Sequence, residues 1–415
     1  MAPSAVPQQD VDLTAAAIQR KEAAAPHVPS APGAVPAPLD ASRLTYALTA
    51  SPRPVPDHAA ANAGDETVAT DHMVTAAWTA AAGWAAPALH PYGPLALMPT
   101  ASCLHYATEC FEGLKVFRGH DGRLRLFRPD RNCARMLLSA GRISLPLFDP
   151  PELQRLLVAL LAVDGPRWLP RDRPGRFLYL RPTLLGTQPQ LGVQAPRQAL
   201  LYVIATFMPD MDAPPGGMRL HTSPEDMVRA WVGGFGYAKV GANYGPSLMA
   251  TQDARRRGYH QVLWLYGPQG ECTEAGASNF FVVWKRRGDG RPELVTAPLD
   301  DKLILDGVTR RSCLDIVRER MAGELQVTER KYTIDELLEA DAEGRILEAF
   351  AAGTAYFVCP VSQIHHRGKD INIPMGPQGQ PGPVTAKVKG WLSDIMYGRE
   401  QHHWGVVIPE KEPAN

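Results

Sequence analysis

The stretch GGFGYAKVGANYG, residues 233–245, decides how this chain is read. It holds one lysine, Lys239, among five glycines. Glycine loses the most backbone freedom on folding, so a run this dense weakens helices and strands unless the backbone must be strained or closely approached. Two readings follow. The stretch is a surface loop whose lysine is solvated, the usual fate of that residue. Or it is a packed turn that delivers one amine to a pocket. Desolvation or a nearby cation makes an amine nucleophilic, and small neighbours let a flat ring lie against the backbone. Spacing alone does not choose between them. The common phosphate fingerprints do not fit. The GK[ST] ending of a P-loop is missing, and Gly234-Phe235-Gly236 runs on into Tyr237, Ala238 and Lys239 instead of a third glycine.

Three further stretches carry chemistry. Asp306-Gly307-Val308-Thr309-Arg310 precedes an expected helix over 307–320. Unpaired N–H groups at a helix start, with the positive end of the dipole, bind anions. Gly307 allows close approach and Thr309 adds a hydroxyl, although an ordinary capped helix has the same look. The turn Ala352-Gly353-Thr354-Ala355 offers more donors, and Arg135, on a helix expected after Pro129-Asp130, offers charge. Glu274, in GECTEAGASNFFVVW, stands before an apolar strand. It is either a solvated loop acid or a buried carboxylate that needs a partner. If that partner is a pyridinium nitrogen, the pair keeps the ring protonated and makes it an electron sink.

Composition narrows the class. The 415 residues are 45% hydrophobic, enough for one large or two medium domains. Lys plus Arg and Asp plus Glu number 43 each, which argues against a general nucleic-acid binder and against electrostatic membrane attachment. No apolar run approaches the roughly 18 residues of a transmembrane helix. The six cysteines form no CxxC pair and read as thiols of a reducing compartment. The pairs His365-His366 and His402-His403 lack partners at metal-ligand spacing, so no metal is expected.

Residues 1–60 are rich in alanine and proline and lack apolar periodicity, so they are expected not to order fully. They lack a secretory apolar core, and Asp10, Asp12 and Glu22 interrupt what would be an acid-poor mitochondrial leader. A cytoplasmic location is expected, with a mitochondrial one as the alternative. Order is expected from about Thr67. Asp149, Pro150 and Glu152 signal a helix with a capping-box pattern. Leu153, Leu156, Leu157, Leu160 and Leu161 give it one apolar stripe, and Asp164-Gly165 should end it. Strands are expected over 176–182, 199–207, 260–267, 279–285 and 293–298, with RRGDGRP as a hairpin loop between the last two. PDMDAPPGGM (209–218) reads as an interdomain linker. Helices and strands mix without strict alternation, which points to two α+β domains, 61–208 and 219–415.

Together these stretches resemble the branched-chain amino acid aminotransferases of fold-type IV. The matching motifs run from about Thr70 to Gly405 and include LHYATECFEGLKVFRG (104–119), YLRPTLLGTQPQLGV (179–193), VRAWVGGFGYAKVGANYGPSL (228–248), TEAGASNFF (273–281), LILDGVTRR (303–311) and AAGTAYFVCPVS (351–362). The resemblance implies a smaller N-terminal α/β domain, a larger C-terminal pseudo-barrel that binds pyridoxal 5′-phosphate, and a homodimer. It implies that Lys239 carries the cofactor and shuttles the substrate proton. Glu274 would pair with the pyridine nitrogen and Tyr244 with the ring oxygen. Arg135, Val308, Thr309 and Thr354 would hold the phosphate. Tyr106 (from the neighbouring subunit), Phe111, Tyr179 and Arg181 would line the substrate site, with Arg181 meeting the side-chain carboxylate of glutamate. The amides of Thr354 and Ala355 would take the α-carboxylate. Substrates would be the three branched L-amino acids and 2-oxoglutarate. The alternative is a same-fold transaminase for a secondary-metabolite precursor, a D-amino acid or an amine.

The chain also departs from the pattern. Tyr356 stands where vertebrate members have the first cysteine of a CxxC pair with Cys359, so the thiol switch should be absent. The run Asp65-Glu66-Thr67-Val68-Ala69 just before the TDHM segment at 70–73 holds no aromatic, and Ala277-Ser278 follow the TEAG turn.

Overall fold

The computed structural model describes residues 35–57, 60, 66–208, 213–355 and 357–410. The leucine stripe lies on the helix Pro150–Trp168, and all five leucines are fully buried. Each is worth about 1.5–3 kcal/mol relative to exposure, so the stripe dictates which face turns inward. It packs with Met136, Leu137 and Ala140 of the helix Pro129–Arg142 against a ten-stranded sheet. Eight of its strands run Thr45–Tyr46, Ala88–Pro91, Ala69–Thr79, Gln198–Thr206, Phe177–Gly186, Leu114–Arg118, Leu124–Phe127, Gly405–Val407, while Gly83–Trp84 pairs Ala69–Thr79 and Glu109–Phe111 pairs Phe177–Gly186. Every neighbouring pair along it except the first is antiparallel.

The second sheet closes on itself. Its ring runs Glu271–Ala275, Gln261–Tyr266, Met218–Thr222, Val358–His366, Ile346–Ala352, Ser278–Lys285, and the last pairs with the first. This is the expected pseudo-barrel. Strand alternation explains why both faces are apolar. Phe280, Val282 and Trp284 meet the core under the helix Ile334–Ala342, while Phe281 and Val283 meet the helices Val308–Arg320 and Pro383–Met396. The RRGDGRP loop joins antiparallel strands paired from Lys285 and Pro292 onward, as read.

Four expectations change. Residues 1–34, 58–59 and 61–65 lie outside the described residues, but 35–57 pack against the first sheet. Leu39 is in its core, Ala37 bridges Gly83, and Thr45–Tyr46 adds an edge strand. The alanine–proline composition hid this because a two-residue strand and one buried leucine leave no periodic signal. The capping box at Asp149 does not form. Glu152 accepts from Ala41 N instead (2.7 Å) and pairs with Arg155, so its carboxylate tethers the N-terminal segment. The helix also runs through Asp164-Gly165 and Pro166 to Trp168, because Asp164 is buried and accepts from His72 N (3.0 Å). Finally, residues 209–212 of the linker lie outside the described residues, and its last residue, Met218, already begins a strand.

Candidate active site

The glycine stretch is a packed turn. A Cβ on Gly236 would lie 2.4 Å from the Leu303 carbonyl oxygen, and one on Gly241 would lie 2.1 Å from Glu109 Oε1. Ala238 and Val240 are buried in the first sheet's core. Lys239 is pinned by its backbone. Its N–H donates to Ser139 Oγ (2.8 Å) and its carbonyl accepts from Phe111 N (3.1 Å). Asn243 Nδ2 donates to the Ala238 carbonyl (2.8 Å) from the following turn. The solvated-loop reading therefore fails.

From that anchor, Lys239 Nζ donates to the Tyr244 hydroxyl (3.0 Å) and lies 4.9 Å from the Phe111 ring centroid. The Phe111 and Tyr244 rings are 5.1 Å apart. Tyr179 and Arg181, two apart on one strand, share a face as expected. Arg181 Nη2 donates to the Tyr179 hydroxyl (3.0 Å), and the guanidinium lies 4.6 Å from the Phe111 centroid. Arg181 Nε is buried without a hydrogen-bond partner among the described residues. Five of the expected residues thus form one cluster.

Glu274 is buried, which excludes a solvated loop acid. Its Oε1 accepts from Leu305 N (3.2 Å) and Asn279 Nδ2 (3.4 Å). Its Oε2 lies 2.8 Å from Arg229 Nη1, yet neither atom finds a hydrogen-bonding direction toward any described partner. The two observations agree if this contact is electrostatic and misaligned. Burial raises the Glu274 pKa, against the pull of the Arg229 charge and the Leu305 N–H.

Arg135 is tied to a residue that sequence reasoning did not single out. Its Nε and Nη2 donate to Glu112 (2.7 and 2.8 Å), and its Nη1 donates to the Asp306 carbonyl (3.0 Å). Glu112 is fully buried and also accepts from Asn132 Nδ2 (2.8 Å). Burial alone would raise its pKa, but Arg135, Lys239 and Asn132 hold its carboxyl below the ordinary range. The only available signal was an acid inside the apolar run ECFEGLKVF.

Asp306 leads into the start of the helix Val308–Arg320, whose N-cap, Gly307, carries no side-chain cap. A Cβ at Gly307 would lie 2.1 Å from Asn279 Oδ1, so a side chain there would have to displace the Asn279 amide. The Thr309 hydroxyl donates to the Gly353 carbonyl (3.2 Å), and the Thr354 hydroxyl to the Gly113 carbonyl (3.3 Å). These bonds join the helix start, the 353–355 turn and the first sheet. A cavity of about 600 Å³ opens beside them and is lined by Val308, Thr309, Thr354 and Ala355, though not by Lys239, Tyr244 or Glu274.

Tyr106 stands apart. Its hydroxyl accepts from Gly192 N (2.9 Å) and its ring meets His105, neither of which belongs to the Lys239 cluster. Among the described residues no group of His, Cys, Asp and Glu is arranged to hold a metal ion. No described helix is long and apolar enough to cross a membrane.

The family model for amino-transferase class IV matches residues 109–364, which span Phe111 to the 353–355 turn. The chain belongs to this family. This class IV aminotransferase is 44% identical over 375 residues to the mitochondrial branched-chain-amino-acid aminotransferase of Schizosaccharomyces pombe, covering 89% of this chain and 86% of the relative. It is 43% identical over 380 residues to the cytosolic one of Saccharomyces cerevisiae, covering 90% and 99%. A solved structure of the T.th. branched-chain amino acid aminotransferase with pyridoxamine 5′-phosphate is similar at a TM-score of 0.61 and 26% identity, covering 80% of this chain and 98% of that one. Of the departures in this class IV aminotransferase, Ser278 sits against Gly353, where a Cβ would lie 2.6 Å from its Oγ. Tyr356 lies outside the described residues. Cys359 is fully buried, and burial pushes its thiol up to about 12.

Proposed function

We propose that this class IV aminotransferase moves the amino group of L-leucine, L-isoleucine or L-valine to 2-oxoglutarate, with pyridoxal 5′-phosphate as cofactor. The observation that carries the reading is the Lys239–Tyr244 hydrogen bond beside the Phe111–Tyr179–Arg181 cluster. It sets an amine, an aromatic wall and a guanidinium side by side.

The residues present fit the cofactor. Glu274 Oε2 is a buried acceptor without a hydrogen-bond partner among the described residues, which suits a protonated ring nitrogen. The uncapped helix start at Val308 and Thr309, with Arg135 and Thr354 beside it, suits a phosphate. Pyridoxal phosphate supplies a ring that draws off negative charge from the substrate's α-carbon.

The chain does the rest. Lys239 Nζ would hold the cofactor covalently between turnovers, and would take the substrate's α-proton and return it. The Tyr244 hydroxyl, 3.0 Å from that nitrogen, orients it and would hold the ring oxygen. Glu274 would keep the ring nitrogen charged, with Arg229 opposing the protonation that burial of the carboxyl favours. The amides of Thr354 and Ala355 take the α-carboxylate. Phe111 and Tyr179 receive a branched side chain, while Arg181 receives the second carboxylate of glutamate.

Exposed Leu104, Leu191, Val193, Trp231 and Val232 near Tyr106 and the lysine turn support a homodimer in which Tyr106 serves the partner's site. The proposed division is a smaller domain ending near residue 208 and a cofactor domain from 219, in a cytoplasmic enzyme. The test is a half-reaction panel with leucine, isoleucine, valine, phenylalanine, D-alanine and an aryl amine. The three branched L-amino acids should convert fastest. A preference for phenylalanine, D-alanine or the amine would replace this substrate assignment.

A further inference from the structure

The cavity of about 600 Å³ beside the phosphate cradle has its own chemistry. Among the described residues four cationic side chains line it, Lys115, Arg176, Lys389 and Arg399, and no carboxylate does. Between them stand Phe117, Phe127, Phe177, Phe357 and Met396. Arg399 is engaged by Asp394 and by Ser393, while Lys115 sits 3.9 Å from the Phe177 ring centroid. The size is that of a small-molecule site, and apolar walls with a few charged groups are the usual lining. Phe357 holds a left-handed backbone, φ +59°, a conformation that for a bulky residue collects at ligand and switch sites.

None of the Lys239 cluster lines the cavity, although Val308, Thr309, Thr354 and Ala355, proposed above for the phosphate and the α-carboxylate, do. Gly113 stands between the two. It lines the cavity, yet a Cβ on it would lie 1.9 Å from the Tyr179 hydroxyl on the substrate side. The Thr354–Gly113 hydrogen bond closes the seam (3.3 Å). A link crosses it. Lys115 Nζ donates to the Ala355 carbonyl (3.2 Å), part of the turn assigned to the substrate's α-carboxylate.

We propose that this cavity binds a second small molecule, an organic monoanion with an apolar body such as an arylalkyl carboxylate, and that it acts on the substrate turn through Lys115. The anion meets Lys389 and Lys115, and its apolar body meets the phenylalanines. Engaging Lys115 weakens its hold on the Ala355 carbonyl and shifts the 353–355 turn. Coupling between sites is reciprocal, so leucine and the anion lower each other's affinity by the same factor. The effect on leucine rests on the reading of that turn, whereas binding in the cavity does not.

The test uses the full-length, cofactor-loaded protein and 4-phenylbutyrate, with 4-phenylbutanol and inorganic phosphate as controls. Calorimetry should find one phenylbutyrate per chain and neither control at the same concentration. Lys389→Glu should weaken it at least tenfold. Gly390→Trp, at a position where a Cβ meets nothing within 4 Å, should fill the cavity and abolish binding. Both variants should keep the cofactor's colour and the wild-type leucine half-reaction. Phenylbutyrate should raise the leucine KM to a plateau. If Arg181→Met abolishes binding while Lys389→Glu and Gly390→Trp leave it unchanged, the ligand sits in the substrate pocket and the proposal is overturned. Binding only after cofactor removal, or equal binding of phenylbutanol, also overturns it. A colourless protein would instead count against the cofactor reading, and the Lys389→Glu titration would still decide this one.

Discussion

Replacing Glu112 with glutamine should cost more stability than almost any other single polar change in this protein. The carboxylate is fully buried and accepts from Arg135 Nε and Nη2, from Asn132 Nδ2 and from Gly113 N (3.1 Å). Glutamine keeps the shape and removes the charge. The Arg135 guanidinium then stays buried without its counter-ion, and the new amide hydrogens face donors. Breaking a buried pair by removing one partner costs about 3–5 kcal/mol. That is a large share of the roughly 5–15 kcal/mol that holds a typical domain folded. Urea denaturation of wild type and Glu112→Gln at pH 7 should show the loss as a lower midpoint at unchanged slope. The sign of the pH dependence follows from the lowered pKa of Glu112. Its contribution is complete above the ordinary carboxylate range and is lost as pH falls through its depressed value. The gap between the two proteins should therefore close in acid. A difference under about 0.5 kcal/mol at pH 7, the level of ordinary surface changes, would refute the reasoning. So would a gap that widens in acid.

Other changes test other joints. Gly113→Ala puts a Cβ 1.9 Å from the Tyr179 hydroxyl, so steady-state kinetics should show KM for glutamate raised on the order of tenfold, about 1.4 kcal/mol, with the fold intact. Glu410→Ala strips the fully buried Arg118 of both carboxylate contacts (2.8 Å each), and thermal or urea melts should show a loss of about 3–5 kcal/mol. Burial raises all six thiols, but Cys103 is only half-buried whereas Cys110, Cys133, Cys272, Cys313 and Cys359 are buried, so iodoacetamide on the native protein should label Cys103 alone and slowly, and mild peroxide should leave activity unchanged.

Much of this was legible in the sequence because it was periodic or local. The leucine stripe, the alternating Phe280–Trp284 strand and the Tyr179–Arg181 pair follow from one or two turns of chain. Lys239, Tyr244 and Glu274 were legible as a set only through the family resemblance. What stayed hidden was long-range. Glu112 and Arg135 are 23 residues apart and meet only because the strand Glu109–Phe111 lies under the helix Pro129–Arg142. Arg229 reaches Glu274 across a loop with no pattern to betray it. The last strand, Gly405–Val407, returns to the first sheet and brings Glu410 to Arg118, which three residues of apolar sequence cannot announce.

The central claim is that Lys239 is the amine that carries the cofactor. Borohydride reduction of the yellow protein, digestion and mass spectrometry test it directly. The account predicts one phosphopyridoxyl group per chain, on the peptide containing Lys239, and none on Lys239→Ala. A label on another lysine, or a wild-type protein that takes up no cofactor, would contradict it.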